Sequence, residues 1–311
     1  LNCDGRQPRE HHTAVVIVLQ KSLRAGGPAH NQDQIAVKFK ELSYANAGDP
    51  LLKRLVIHTV ENLSGRNRYV EVYKIWRAEV VGKTDHVFSR MLELIDIDLS
   101  VKGCWPPKDL PDTPIVMVAN HPYGIADGIA VLALAEQLGR PFKVLINDQL
   151  LKIPEMRPYS LPISFEETKE ALAINLATRN EALRLLKEGV TIVIFPAGGV
   201  ATAPKGYGHA EDLPWKMFPA KLIQSAKASV LPVYFEGQNS WLFHLASRLS
   251  LTLRLSFLIR EFCRLSGATI YSNIGTIVPW DELAAIPDRK AILQYLYDAV
   301  FAMERNRPAA A

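Results

Sequence analysis

Ile115-Val116-Met117-Val118-Ala119-Asn120-His121-Pro122-Tyr123-Gly124-Ile125-Ala126-Asp127-Gly128 is the stretch that decides how the rest of the chain is read. Five apolar residues from Ile115 to Ala119 read as a strand, and helical spacing resumes near Asp127 and runs to Leu138. Between them lies a loop punctuated by Pro122 and Gly124. The same unit recurs in both directions. Further strands are expected at Ile97 to Val101, Phe142 to Ile146, Leu161 to Phe165, Thr191 to Phe195, Val230 to Phe235 and Ala268 to Ile274. Helices are expected at Thr168 to Lys187, Ala220 to Ala228, Trp241 to Cys263 and Arg289 to Met303. Alternating strands and helices predict an α/β fold with a mostly parallel sheet flanked by helices.

Upstream, Leu52, Leu55, Val56, Thr59, Val60 and Leu63 recur at helical spacing, with Asp49 as N-cap and Gly65 as stop. A second helical stretch runs from Tyr69 to Leu94, interrupted near Gly82. Residues 1–48 are rich in His, Gln, Asn and Gly without a sustained apolar period, and read as a loosely ordered tail with at most a short strand. The domain proper is expected at 49–311, with an N-terminal helical preface at 49–96 and the catalytic α/β part at 97–311.

Composition narrows the class. The chain has 311 residues, 48% hydrophobic and 22% charged, which fits a globular protein and excludes disordered and fibrous ones. A net charge of +4 is mildly basic and suits an anionic lipid surface or an acidic carrier protein; no nucleic-acid partner is expected. Cys3, Cys104 and Cys263 form no CxxC pair, which favours a reducing, cytosol-facing compartment. The longest purely apolar run, Ala14 to Leu19, is far short of the roughly 20 residues that cross a bilayer. The residues after Leu1 carry no positively charged, cleavable signal layout, and none is expected.

Two loops carry candidate chemistry. On a continuous helix, six positions place His121 and Asp127 about 600° apart, on different faces. Pro122 and Gly124 break that continuity, so a tight bend brings the carboxylate back beneath the imidazole as the next helix begins. A carboxylate on one ring nitrogen fixes the tautomer and supports the imidazolium formed when the other nitrogen takes a proton, which makes His121 a general base. The second loop, Phe195-Pro196-Ala197-Gly198-Gly199, follows another strand. Its glycines let backbone amides approach an anion, either a phosphate or the oxyanion of a thioester carbonyl under attack.

These blocks resemble the PlsC-type glycerolipid acyltransferase superfamily, in particular its hemolysin-like, ornithine-lipid-type bacterial branch. The resemblance spans roughly residues 50 to 304 and rests on Asn120 to Gly128, Phe195 to Gly198 and Leu231 to Ser240. It implies the glycerolipid acyltransferase fold, with His121 as base and Asp127 as its orienting partner. It further implies substrate contacts from Asn120, Tyr123, Gly124, Phe195, Pro196, Ala197, Gly198 and Gly199, with Pro232 in the wall of the site. Three departures stand out. Five residues separate His121 from Asp127 where the widespread pattern has four. Ala197 and Gly199 stand where the usual block reads Phe-Pro-Glu-Gly-Thr. Glu166 and Glu167 occupy the region where glycerophosphate enzymes carry an arginine. Two carboxylates there would repel a phosphate dianion, so an amine-bearing or zwitterionic acceptor is expected.

The expected function is transfer of a fatty acyl group from a thioester, on acyl carrier protein or coenzyme A, to a lyso-lipid or aminolipid. No cofactor or metal is expected, since His121, His209 and His244 lack ligand spacing. Trp241 to Cys263, rich in leucine and flanked by Arg248, Arg254, Arg260 and Arg264, is a candidate interfacial helix for a peripheral position on the cytoplasmic membrane face. Lys205, Lys216 and Lys221 are candidate phosphate contacts. A serine hydrolase is excluded by the lack of a Gly-x-Ser-x-Gly elbow. The remaining alternative is a noncatalytic lipid-binding or scaffold protein that keeps the fold.

Overall fold

The computed structural model describes residues 40–305 apart from 46, 47 and 49. Most of the expected tail, and the Asp49 cap, lie outside the described residues. Its last segment is held in place: Ser43 Oγ donates to Glu61 Oε2 at 2.8 Å, and the Tyr44 amide donates to Glu61 Oε1 at 2.8 Å. Glu61 is fully buried, and these bonds supply the partners that a buried carboxylate requires.

The helical preface consists of α1 (Leu51–Leu63), α2 (Arg66–Glu79) and α3 (Val87–Leu94). Gly65 ends α1 as expected, but at φ 90° it also turns the chain directly into α2, three residues before the expected Tyr69. The α/β part continues with β1 (Asp98–Lys102), β2 (Ile115–Ala119), α4 (Ile125–Glu136), β3 (Phe142–Asn147), β4 (Ser160–Ile163), α5 (Lys169–Lys187) and β5 (Thr191–Ile194). It ends with α6 (Phe218–Ala226), β6 (Ser229–Phe235), α7 (Trp241–Leu249), α8 (Leu251–Arg264), β7 (Thr269–Ile274), α9 (Trp280–Ala284) and α10 (Arg289–Arg305). Every expected strand is present within two residues of its expected ends. The helix expected over Trp241 to Cys263 is instead two: Ser250 adopts an extended conformation, φ −164° and ψ 138°, and its hydroxyl caps α8 by accepting from the Thr252 amide.

The seven strands lie in the order β1-β7-β6-β2-β5-β3-β4. All neighbouring pairs are parallel except β6 and β7. The central strands β2, β5 and β6 are buried along their whole length, which is why they read as unbroken apolar runs. One core fills the face covered by α2, α3, α4 and the end of α8, around Tyr73, Trp76, Phe88 and Phe262. The other lies beneath α5, α6, α9 and α10, around Leu186, Leu222, Ile223 and Leu296.

This order sets the site. The helix after β2 covers the first face, whereas the helix after β5, the neighbouring strand, covers the second. Adjacent carboxyl ends whose chains depart to opposite faces leave a crevice between them, where ligands of open α/β sheets bind. His121 follows β2 and the glycine loop follows β5.

Candidate active site

Gly124 makes the turn that brings histidine and aspartate together. Its φ of 90° and ψ of −92° belong to a region that side chains avoid, and a Cβ there would lie 2.9 Å from Leu258 Cδ2 and 3.0 Å from Val200 Cγ2. The helix begins at Ile125, two residues earlier than the spacing predicts, so Asp127 sits in the first turn of α4, where the helix dipole favours a negative charge. Its Oδ2 accepts from the Tyr123 amide at 2.9 Å, and its Oδ1 lies 3.2 Å from His121 Nδ1. The histidine–aspartate contact is bent away from ideal hydrogen-bond geometry, yet neither atom has another partner among the described residues. Asp127 is fully buried, while the His121 side chain keeps 15% of its surface open.

The histidine is fixed on every other side. Its ring stacks on Phe195, centroids 4.0 Å apart and planes at 27°. Its carbonyl accepts from the Ala201 amide at 2.7 Å, and its amide donates to Asp212 Oδ1 at 3.2 Å. The other Asp212 oxygen accepts from Trp215 Nε1 at 3.0 Å. Burial pushes the Asp212 carboxyl above the usual range, against the lowering effect of these two bonds. Sequence spacing does not single out Asp212. It arrives because Thr202 and Glu211 pair as an isolated antiparallel bridge, which folds the 211–215 segment onto the glycine loop.

The other expected contacts divide. Asn120 is committed to the scaffold: its carboxamide donates to the Phe235 carbonyl at 2.9 Å and accepts from the Phe235 amide at 2.7 Å, extending the β2–β6 ladder by one side chain. Both bonds tie the Asn120 side chain to the end of β6. The Tyr123 hydroxyl donates to the Glu236 carbonyl at 2.8 Å, with Gly237 opposite leaving room for it, and burial pushes its phenol up to about 12. Pro232 is buried within β6, in register with Val118, its ring beside Gly275. Pro196 and Ala197 are buried. The Gly198 amide closes a turn onto the Phe195 carbonyl at 3.0 Å, so it is not the free donor that the loop's composition suggests; the amides of Ala197, Gly199 and Val200 have no acceptor among the described residues. Phe165 lies over Gly198, and Glu166 and Glu167, next in sequence, are exposed.

From the far side α8 contributes Arg254, whose Nη2 donates to the Val200 carbonyl and would lie 3.5 Å from a Cβ at Gly199. Lys216 is exposed and its backbone amide holds the Pro196 carbonyl at 2.9 Å; Lys205 and Lys221 are exposed. His244 is buried elsewhere, accepting from the Ala203 amide at 3.3 Å, and His209 is paired with Glu304 at 3.4 Å. A cavity of about 320 Å³, lined by residues such as Ile75, Val80 and Leu94, lies between α2 and α3, and no site residue lines it.

An imidazole 3.2 Å from a buried carboxylate, its ring stacked on the first residue of the glycine loop, brings the two candidate loops together. A profile described as acyltransferase matches residues 107–275, more than half of the 311 residues and both candidate loops. The chain belongs to the acyltransferase family. This acyltransferase is 26% identical over 224 residues to a lyso-glycine lipid O-acyltransferase of Phocaeicola vulgatus, covering 68% of this chain and 75% of that one. It is 28% identical over 226 residues to a lyso-glycine lipid O-acyltransferase of Bacteroides thetaiotaomicron, covering 68% and 76%. Among solved structures, the 1-acyl-sn-glycerophosphate (LPA) acyltransferase PlsC from Thermotoga maritima overlaps it with a TM-score of 0.46 at 19% identity, covering 81% of this chain and 89% of that one.

Proposed function

We propose that this acyltransferase moves a fatty acyl group from a thioester, carried by acyl carrier protein or coenzyme A, to the hydroxyl of a lyso-aminolipid. The observation that carries the reading is the 3.2 Å approach of His121 Nδ1 to the buried Asp127 carboxylate, which leaves Nε2 as the basic edge. Nε2 takes the proton of the acceptor hydroxyl as its oxygen attacks the thioester carbonyl. The tetrahedral intermediate then collapses, the C–S bond breaks, and the imidazolium returns its proton to the leaving thiolate. The amides of Gly199 and Val200, unlike that of Gly198, remain available for the oxyanion.

Two features support an acceptor other than a glycerophosphate. Glu166 and Glu167, exposed and next in sequence to the Phe165 that covers Gly198, add negative charge to this part of the surface, unfavourable for a phosphate dianion. Two relatives similar over three quarters of their length carry the name lyso-glycine lipid O-acyltransferase.

The surface reading is of a peripheral protein on the cytoplasmic membrane face. Leu51, Leu52, Leu55 and Leu63 on α1 and Trp241, Leu245 and Leu249 on α7 are exposed, and both helices pack against α8. Basic Lys53 and Arg248 stand among them. By contrast, Leu258, Ile259 and Phe262 of α8 are core residues, so the interfacial surface is shared by α1 and α7 instead of running along one long helix. No helix among the described residues is long and apolar enough to cross a membrane.

Incubating purified protein with a labelled acyl thioester and, separately, lyso-glycine lipid, lyso-ornithine lipid and lysophosphatidic acid tests the proposal. Transfer to an aminolipid is expected. A clear preference for lysophosphatidic acid rejects the acceptor class, and no transfer to any of them rejects the enzymatic reading.

A further inference from the structure

Three arginines project from α8, and they are not equivalent. Arg260 and Arg264 both pair with the buried Glu261, at 2.8 and 3.1 Å. Arg254 pairs with no carboxylate among the described residues, although it is half-buried; its one bond is donated by Nη2 to the Val200 carbonyl. Burial pulls its guanidinium below the usual arginine range. Nε and Nη1 have no acceptor among the described residues. These donors are not sealed from solvent, so they are open to an anionic ligand.

Its position says what that something is near. The Val200–Ala201 peptide unit accepts from Arg254 through its carbonyl and donates to the His121 carbonyl through its amide, so the guanidinium lies within about 8 Å of the His121 backbone. A Cβ at Gly199 would press on Leu213 Cδ1 at 3.1 Å and stand in ordinary contact with Nη2 at 3.5 Å, so the guanidinium lies directly beside the glycine loop. We propose that Arg254 receives the headgroup carboxylate of the acceptor lipid and so sets the enzyme's preference for an N-acyl amino acid head. The idea rests on the lyso-aminolipid acceptor proposed above and adds the residue that selects it. A planar carboxylate matches the guanidinium fork, and a single negative charge balances one arginine where Glu166 and Glu167 oppose a dianion. In an N-acylglycine carrying a hydroxyl at the β-carbon of its acyl chain, carboxylate and hydroxyl stand roughly 7 Å apart, about two residue lengths, which is of the same order as the separation between the guanidinium and the His121 backbone.

The test compares an N-(hydroxyacyl)glycine with its methyl ester, which keeps the hydroxyl and loses the charge, in wild type, Arg254→Gln and Arg254→Lys. Wild type is expected to show a KM about tenfold or more lower for the acid than for the ester. Arg254→Gln should erase that difference in KM, any change in kcat from the lost bond to Val200 falling alike on both acceptors, and Arg254→Lys should restore part of the difference. Equal KM values for acid and ester in wild type overturn the proposal without any variant. So does an acid-to-ester KM difference that persists in Arg254→Gln, which would reduce Arg254 to a brace for Val200, and so does a rise in KM for the thioester donor alone. Wild type inactive on both compounds but active on lysophosphatidic acid instead refutes the acceptor class itself.

Discussion

Asp127→Asn isolates what the carboxylate does for the histidine. The substitution keeps the volume of a fully buried side chain and one oxygen, but not two acceptors. In the native site Oδ2 holds the Tyr123 amide and Oδ1 faces His121 Nδ1. If the new oxygen stays on Tyr123, the amide group points its hydrogens at Nδ1, which must then accept; the proton moves to Nε2, and the ring can no longer act as a base there. The charge is lost as well. A hydrogen bond to a charged group contributes about 1.5–3 kcal/mol, which alone corresponds to roughly a 10- to 100-fold loss of rate. With the wrong tautomer added, the loss should reach the ~10²–10⁴ that general-base catalysis supplies, falling on kcat with the acceptor KM little changed. Steady-state transfer from a labelled acyl thioester, alongside thermal unfolding to confirm the fold, measures this. A folded Asp127→Asn enzyme with kcat within about threefold of wild type would refute the reasoning, because the carboxylate would then neither orient nor charge-stabilise the base.

The remaining predictions concern the frame around that pair. Asn120→Ala removes both bonds to the Phe235 backbone and should cost about 2–4 kcal/mol in urea unfolding, since a buried amide and carbonyl lose their partners. Gly124→Ala should destabilise by about 1–3 kcal/mol and lower activity, because φ is 90° and the methyl meets Leu258 and Val200; a variant as stable and active as wild type contradicts the turn geometry. Burial holds the His244 imidazole below its usual value near 6.5. The unfolded chain therefore takes up the proton first as pH falls, so this stability is complete above about 6.5 and lost on acidification through the lower folded value. Unfolding midpoints measured from pH 8 to pH 5 should fall less steeply in His244→Gln.

Much of the architecture was legible because its signals are local. Parallel strands buried on both faces appear as short apolar runs, and Ile115 to Ala119 coincides with β2 residue for residue. Thr168, a side-chain cap accepting from the Ala171 amide, marked the start of α5 correctly. The break at Ser250 was not legible: serine is tolerated inside helices, and only the extended backbone of the folded chain reveals that this one caps α8. In the site, the His121–Asp127 encounter could be argued from a proline and a glycine between them. Asp212 lies 91 residues from His121, and Arg254 lies 54 from Val200, so only the folded sheet brings them in. The composition of the glycine loop likewise does not show which amides are already spent; the Gly198 amide is, on Phe195.

The most direct test is to mix purified wild type and His121→Ala separately with a labelled acyl thioester and an N-(hydroxyacyl)glycine, and to identify the product by mass spectrometry. Wild type should yield an O-acylated lipid, and the variant should form it at a rate lower by about 10²–10⁴ with unchanged thermal stability. Product formed equally fast without the imidazole would contradict a catalytic role for His121.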